Sequence, residues 1–321
     1  MRVRTTCMCT CTEHMRMMPP RRSCARAPIR AQIWEIFIQF VARTGYKDEP
    51  EVDKDNEQQP LLFHRTTAVH QVSKYVYPRY HPESIVNLFR VYDKVDVTYL
   101  DESGQNHFHV ACRCGLEDIV EQFLEAGQDP NYLWASTGDS PLHLALENRH
   151  PFVVRLLLKH GADPNLADRN GFTPLHWMLL RFKVALTIDH FFRICDDLKK
   201  PVQIDAQDEW GQTPLFLALG RSHNRDVIEL LLRRGANPHL TNKNGLSPID
   251  MICTKWSDDD LVDMFKIIDE RYQPGLIYVR DQSGNTPLHI AQSRDHRETV
   301  QFLLTNGAYP NFTNDHRWTP L

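Results

Sequence analysis

One short phrase recurs along this chain and limits its fold more than any other feature. It reads Asn106-His-Phe-His-Val-Ala111, Ser140-Pro-Leu-His-Leu-Ala145 and Thr173-Pro-Leu-His-Trp-Met178. It continues as Thr213-Pro-Leu-Phe-Leu-Ala218, Ser247-Pro-Ile-Asp-Met-Ile252 and Thr286-Pro-Leu-His-Ile-Ala291. An eroded copy, Thr67-Ala-Val-His-Gln-Val72, precedes the series, and the sequence ends inside another at Thr319-Pro-Leu321. The anchors are spaced by 39, 34, 33, 40, 34, 39 and 33 residues. A period near 33 means one small unit repeated, each unit too small to bury its own apolar face.

Each copy has its own local logic. Thr or Ser at a helix N-cap accepts an orphan backbone N–H. Pro follows at the first helical position, where a missing N–H costs nothing. A second phrase comes at a fixed distance: Phe-Leu-Glu-Ala-Gly (123–127), Leu-Leu-Lys-His-Gly (157–161), Leu-Leu-Arg-Arg-Gly (231–235) and Leu-Leu-Thr-Asn-Gly (303–307). It closes a second helix with apolar residues at helical spacing, such as Val153, Val154, Leu157 and Leu158. Asp-x-x-Gly then turns the chain back, at 101–104, 168–171, 208–211 and 281–284.

In these paired phrases the chain resembles the ankyrin-repeat family, strongly over residues 100–321 and weakly over 61–99. The resemblance implies an all-α solenoid of stacked helix-turn-helix units with β-turn fingers. Six full units are expected, at 100–133, 134–166, 167–206, 207–240, 241–279 and 280–312. A degenerate unit precedes them at 61–99, and 313–321 begins another. The 167–206 and 241–279 units carry insertions of about six residues over the repeat period, expected as loop or helix extensions. Residues 287–293 and 297–306 are expected to show a bare apolar flank, to fray, and to belong to a longer protein. Arg317, standing where the turn Gly belongs, is expected to be strained.

Ahead of the repeats, 1–30 reads as a basic Cys- and Met-rich disordered tail, and 31–46 as an amphipathic capping helix. The helix's stripe is Ile33, Trp34, Ile36, Phe37, Phe40 and Val41. Residues 47–60 read as a solvated acidic linker. The leader, Arg43 to Pro50 and Leu61 to Thr67, is also similar to leaders of an expanded ankyrin-repeat family of small parasitoid wasps. Some members of that family carry a C-terminal F-box-like segment.

Composition narrows the function. Net charge is −4, so general nucleic-acid binding is not expected. The longest apolar stretch, 33–42, is broken by Glu35 and Gln39 and is too short for a membrane span. Eight scattered Cys fit reduced thiols in the cytoplasm or nucleus. The Cys7-x-Cys9-x-Cys11 run lacks structural zinc spacing, so no metal is expected. Many of the 16 His are absorbed by the repeat: His109, His143, His176 and His289, with His70, are expected to hydrogen-bond along the stack. Phe216 and Asp250 are expected to interrupt that ladder. Asp258 to Asp260 read as first-turn carboxylates of a helix capped by Ser257.

No catalytic constellation, cofactor or small-molecule substrate is expected, and the chain reads as a monomeric, non-enzymatic scaffold for a protein partner. The alternative is a substrate receptor of a ubiquitin ligase. The resemblance places variable binding positions beside each turn Gly, on the concave face. They include Glu102, Ser103 and Gln105, and Gln282, Ser283 and Asn285. The candidate site is Arg169, Asn170 and Phe172, then Glu209, Trp210 and Gln212, then Lys243, Asn244 and Leu246. Phe172, Trp210 and Leu246 are aromatic or apolar anchors in a polar rim, the composition of a binding hot spot. The alternative is that inserted loops cover them.

Overall fold

The computed structural model describes residues 38–48, 62–75, 82–95, 97–181, 185–221, 225–255, 257–258, 261–262, 265–266 and 276–321. The 1–30 tail and residues 31–37 lie outside the described residues. The chain divides into two compact units, residues 1–169 and 170–321.

In the first unit, strand β1 (Leu62–His64) pairs in parallel with β2 (Thr98–Leu100) around helices α1 (Ala68–Tyr75) and α2 (Pro82–Val91). Two helix pairs follow, α3 (His107–Cys114) with α4 (Glu117–Glu125), and α5 (Pro141–Glu147) with α6 (Pro151–Lys159). The inner helices pack in the order α1, α3, α5, and outer α4 packs on α6. The core between them holds Phe108, Val110, Ala111, Leu142, Leu144, Leu157 and Leu158, all buried.

The second unit repeats the plan. Inner helices α7 (Pro174–Arg181), α9 (Pro214–Arg221), α11 (Pro248–Lys255) and α12 (Pro287–Ser293) pack in sequence. Outer helix α8 (Ala185–Asp197) packs on α10 (Arg225–Arg233), and α13 (Arg297–Thr305) on α12. Helix α8 has 13 residues against nine in α10 and α13.

The helix starts follow from the recurring phrase. Ser140 Oγ accepts the His143 N–H, and the Ser140 N–H donates to His143 Nδ1 at 3.2 Å. Asn106 and His109 make the same reciprocal pair, at 2.8 and 3.3 Å, and the Thr286 N–H donates to His289 Nδ1. An imidazole accepting at Nδ1 carries its proton on Nε2. His109, His176 and His289 present that nitrogen to the carbonyls of Tyr132, Gln212 and Trp318, at 2.8, 3.1 and 3.0 Å. Each ring therefore caps its own helix and holds the finger of the unit that follows. His70 repeats the local half of the pattern, accepting the Thr67 N–H at 3.1 Å.

Several details differ from the sequence expectation. Asp250 does not break the local pattern: its Oδ2 accepts the Ser247 N–H and hydroxyl at 2.7 and 2.8 Å, as an imidazole does elsewhere. Burial pushes its pKa up, opposed by those two donors. Phe216 keeps only the Thr213 cap on its own N–H. Phe40 is 64% exposed, and Ile38 is the buried residue of helical 38–43. Asp48 is buried, accepting hydrogen bonds from Tyr99 Oη at 2.8 Å and from Arg65 at 3.3 Å. Its neighbour Lys47 bridges Asp93 at 2.6 Å, so these two residues are fastened and not solvated linker.

Asp258 reaches beyond its own helix. Its carboxylate accepts the Glu298 and Thr299 N–H groups, both at 2.8 Å, and the Thr299 hydroxyl at 2.6 Å. The residue at the N-cap position of α13, His296, makes no side-chain cap bond. A carboxylate from the preceding unit thus caps α13 and meets its positive end. Desolvation pushes Asp258 up, but the Thr299 hydroxyl and the two N–H donors outweigh it and hold the carboxyl below its ordinary 3.8. Asp258→Ala should cost about 1 kcal/mol. A depressed folded value means this contribution is complete above the ordinary value and lost as pH falls through the folded one. Thermal midpoints of wild type and variant should therefore differ at pH 7 and converge toward pH 3. A constant gap would show that the carboxylate charge is irrelevant.

Candidate functional site

The site is built on the fingers, the tight turns that join one helix pair to the next. In the second unit Asp208 Oδ1 accepts the N–H groups of Trp210 and Gln212, at 2.9 and 2.7 Å. The Asp208 N–H donates to the Gln212 carbonyl at 3.0 Å, and the Gly211 N–H to the Asp208 carbonyl at 2.9 Å. Asn242 fixes the following finger the same way, accepting from Asn244 and Leu246 at 2.9 and 3.0 Å. Asp281 and Asn314 repeat it in the last two fingers, and Asp101 in the first unit. One short side chain with its oxygen over the turn explains why Asp or Asn opens each of these fingers.

Neighbouring fingers are tied edge to edge. The Glu209 N–H donates to the Asn170 carbonyl, and the Lys243 N–H to the Trp210 carbonyl, both at 2.9 Å. This approach needs glycine. Gly211 has φ of +75°, and a Cβ there would lie 2.8 Å from the Lys243 nitrogen.

These turns display most of the expected site in one row. Asn170, Glu209, Lys243 and Asn244 are exposed, and Gln212 is half-buried with its carbonyl held by His176. The Phe172 and Trp210 rings meet at 5.5 Å between centroids, tilted by 37°, joining adjacent fingers. Trp210 is 48% exposed and Leu246 37%, while Phe172 is half-buried. Among the described residues the row is therefore open, with no inserted loop over it. Arg169 is the exception: it lies in the first unit, where its N–H donates to the Thr137 carbonyl at 3.3 Å and its guanidinium to the Ala135 carbonyl.

Two aromatic residues escaped the sequence reading. Trp134 occupies the place of the turn Asp in the 134–166 finger and is buried. Its Nε1 donates to Ser103, with the Arg113 guanidinium 5.1 Å from the ring centroid. Trp318 is 70% exposed, with the His316 ring 5.6 Å away. It stands one residue before Thr319, as Phe172 does before Thr173 and Leu246 before Ser247. That register was a usable signal. Arg317 beside it has φ of +62°, the left-handed turn its position requires. Among the described residues, no group of three or more His, Cys, Asp or Glu is placed to hold a metal ion. No described helix is long and apolar enough to cross a membrane.

Family models for ankyrin repeats match residues 108–185 as three copies, and 210–243 and 283–315 as single repeats. The repeats are ankyrin repeats. The chain is 26% identical over 214 residues to human transient receptor potential cation channel subfamily A member 1, covering 65% of this chain and 18% of the channel. It is 28% identical over 235 residues to human B-cell lymphoma 3 protein, covering 70% of this chain and 48% of that protein. It is also similar to the crystal structure of the ankyrin repeat domain of Bcl-3, with a TM-score of 0.57 at 26% identity. That likeness covers 68% of this chain and 93% of the domain. The chain thus spans less than half the length of these two curated relatives.

The finger ladder makes a quantitative expectation. Gly211→Ala puts a side chain both at positive φ and against the Lys243 backbone, and should cost about 1–3 kcal/mol. Chemical denaturation should read this as a lower midpoint. An unchanged midpoint would mean that the fingers are not locked to each other.

Proposed function

We propose that the finger row of the second unit, centred on Phe172, Trp210 and Leu246, is the surface on which this ankyrin array binds a protein partner without catalysing a reaction. The observation that supports this most is the half-exposed Trp210 ring, packed at a tilt against Phe172 and carried on a turn whose backbone is already hydrogen-bonded. An apolar ring in water is a cost that binding removes. A fixed turn loses little conformational entropy when it is covered, so more of the contact survives as affinity. Asn170, Glu209, Gln212, Lys243 and Asn244 surround the rings with polar groups, as the rim of a binding surface does. Trp318 extends the row on the last finger.

Affinity capture from cell extract with the whole chain, followed by binding measurements on the recovered protein, tests this reading. Trp210→Ala should weaken binding by at least about 2 kcal/mol. Its stability cost should stay within about 1 kcal/mol, since the ring is half in solvent and makes one aromatic contact. Equal capture by wild type and variant would remove Trp210 from the interface. A large fall in melting temperature would make the ring structural instead.

A further inference from the structure

His107 departs from the repeat. The five later copies of the phrase carry Pro at this first helical position (141, 174, 214, 248 and 287), and here the side chain is an imidazole. That ring is buried, at the joint between the 62–100 unit and the array. Its Nε2 lies 2.7 Å from Thr67 Oγ1, and the same hydroxyl lies 3.0 Å from His70 Nδ1. The Tyr99 ring stacks on it at 4.9 Å and 24°, while Tyr92 and Phe89 meet it edge-on at 5.4 and 5.8 Å. The His70 ring is 4.8 Å away. One imidazole thus fastens α3 to α1, α2 and β2 together.

Proton accounting shows which charge state the joint accepts. His70 Nδ1 already accepts the Thr67 N–H, so it is unprotonated. The Thr67 hydroxyl has one proton and bridges His70 Nδ1 and His107 Nε2, so a pair of neutral imidazoles satisfies the whole bridge. Other titratable groups facing the joint are engaged elsewhere. Tyr99 donates its hydroxyl to Asp48, which Arg65 also holds. Tyr92, just after α2, is pushed up by burial, and Asp48 adds to the shift. His109, on the same helix, is bound to the Tyr132 carbonyl and lowered by burial to about 4. A charge on His107 would sit buried among apolar rings, 4.8 Å from the His70 imidazole.

We propose that His107 is an acid-sensitive latch: its neutral ring holds the 62–100 unit on α3, and taking up a proton releases that unit. Release would uncover the apolar flank of the array, including Phe123, whose ring packs edge-on to Phe89. Burial, and then His70, hold His107 well below the ordinary imidazole value of 6.5. The closed joint therefore refuses a proton that the open one accepts. A depressed value on a base means the joint is strongest above 6.5 and weakens as pH falls below it. The opening constant should rise up to about tenfold per pH unit for this one group.

Hydrogen exchange of the full chain at pH 7.5, 6.5 and 5.5, corrected for intrinsic rates, tests the latch. Protection over 68–75 and 82–91 should fall toward pH 5.5 while 141–159 keeps its own. His107→Phe retains a ring among Tyr99, Tyr92 and Phe89 and should flatten that dependence. Equal loss in wild type and variant, or constant protection of 68–91 from pH 7.5 to 5.5, would overturn the proposal. If His107→Phe does not fold, NMR titration of the wild-type imidazole decides. A ring that stays neutral in the closed protein down to pH 5.5 supports the latch, and one that titrates near 6.5 while the joint stays closed defeats it.

Discussion

The structure depends on an imidazole used at both of its nitrogens. In α3, α7 and α12 the His ring accepts its own cap's N–H at Nδ1 and gives its Nε2 proton to the next finger's carbonyl. A buried ring with only one side satisfied would leave a costly polar group. In these three helices the hydrogen bond to the following finger satisfies the ring's second nitrogen, and it sets the register. Hydrophobic burial supplies the larger driving force, but it is non-directional. The ring is what gives the packing a fixed offset.

That fixed offset is what makes a surface from turns. The fingers opened by Asp101, Asp208, Asn242, Asp281 and Asn314 are each closed by a carboxylate or amide over their own backbone. Within the second unit the carbonyls of Asn170, Trp210 and Ser283 each accept an N–H of the following finger. Loops with satisfied, mutually bonded backbones can hold an aromatic side chain in water without folding over it. The Phe172 and Trp210 rings meet across two fingers because the spacing between those fingers is set by the backbone bond at Glu209.

Where the array departs from its repeat, the departures make contacts between neighbouring units. Asp258 caps a helix 40 residues away. His107 replaces a proline and joins the 62–100 helices to the array. Asp48 anchors an acidic segment through Tyr99. These residues read as surface charge or as eroded repeat in a linear sequence, because none has its partner within one helical turn.

The sequence by itself determined the helix pairs, their order, the caps and the turn positions. Each rests on residues at most a few positions apart: Ser140 with His143, Asp208 with Gln212. It also placed the candidate row, since Phe172, Trp210 and Leu246 are named by their distance from a turn Gly. Only the tertiary structure decided which of these side chains are open to solvent. The Trp at 134 sits in the same kind of finger as Trp210, yet its Nε1 finds Ser103 and the ring is buried, whereas Trp210 stays half in water. It decided also that Asp250 could serve as a cap in place of His, that Arg169 lies in the first unit, and that a histidine could close a joint. Apart from Asp250, whose partner Ser247 is three residues away, such outcomes turn on partners 30 or more residues distant, as with Trp134 and Ser103. Local spacing carries no information about which side of the following unit a side chain will meet.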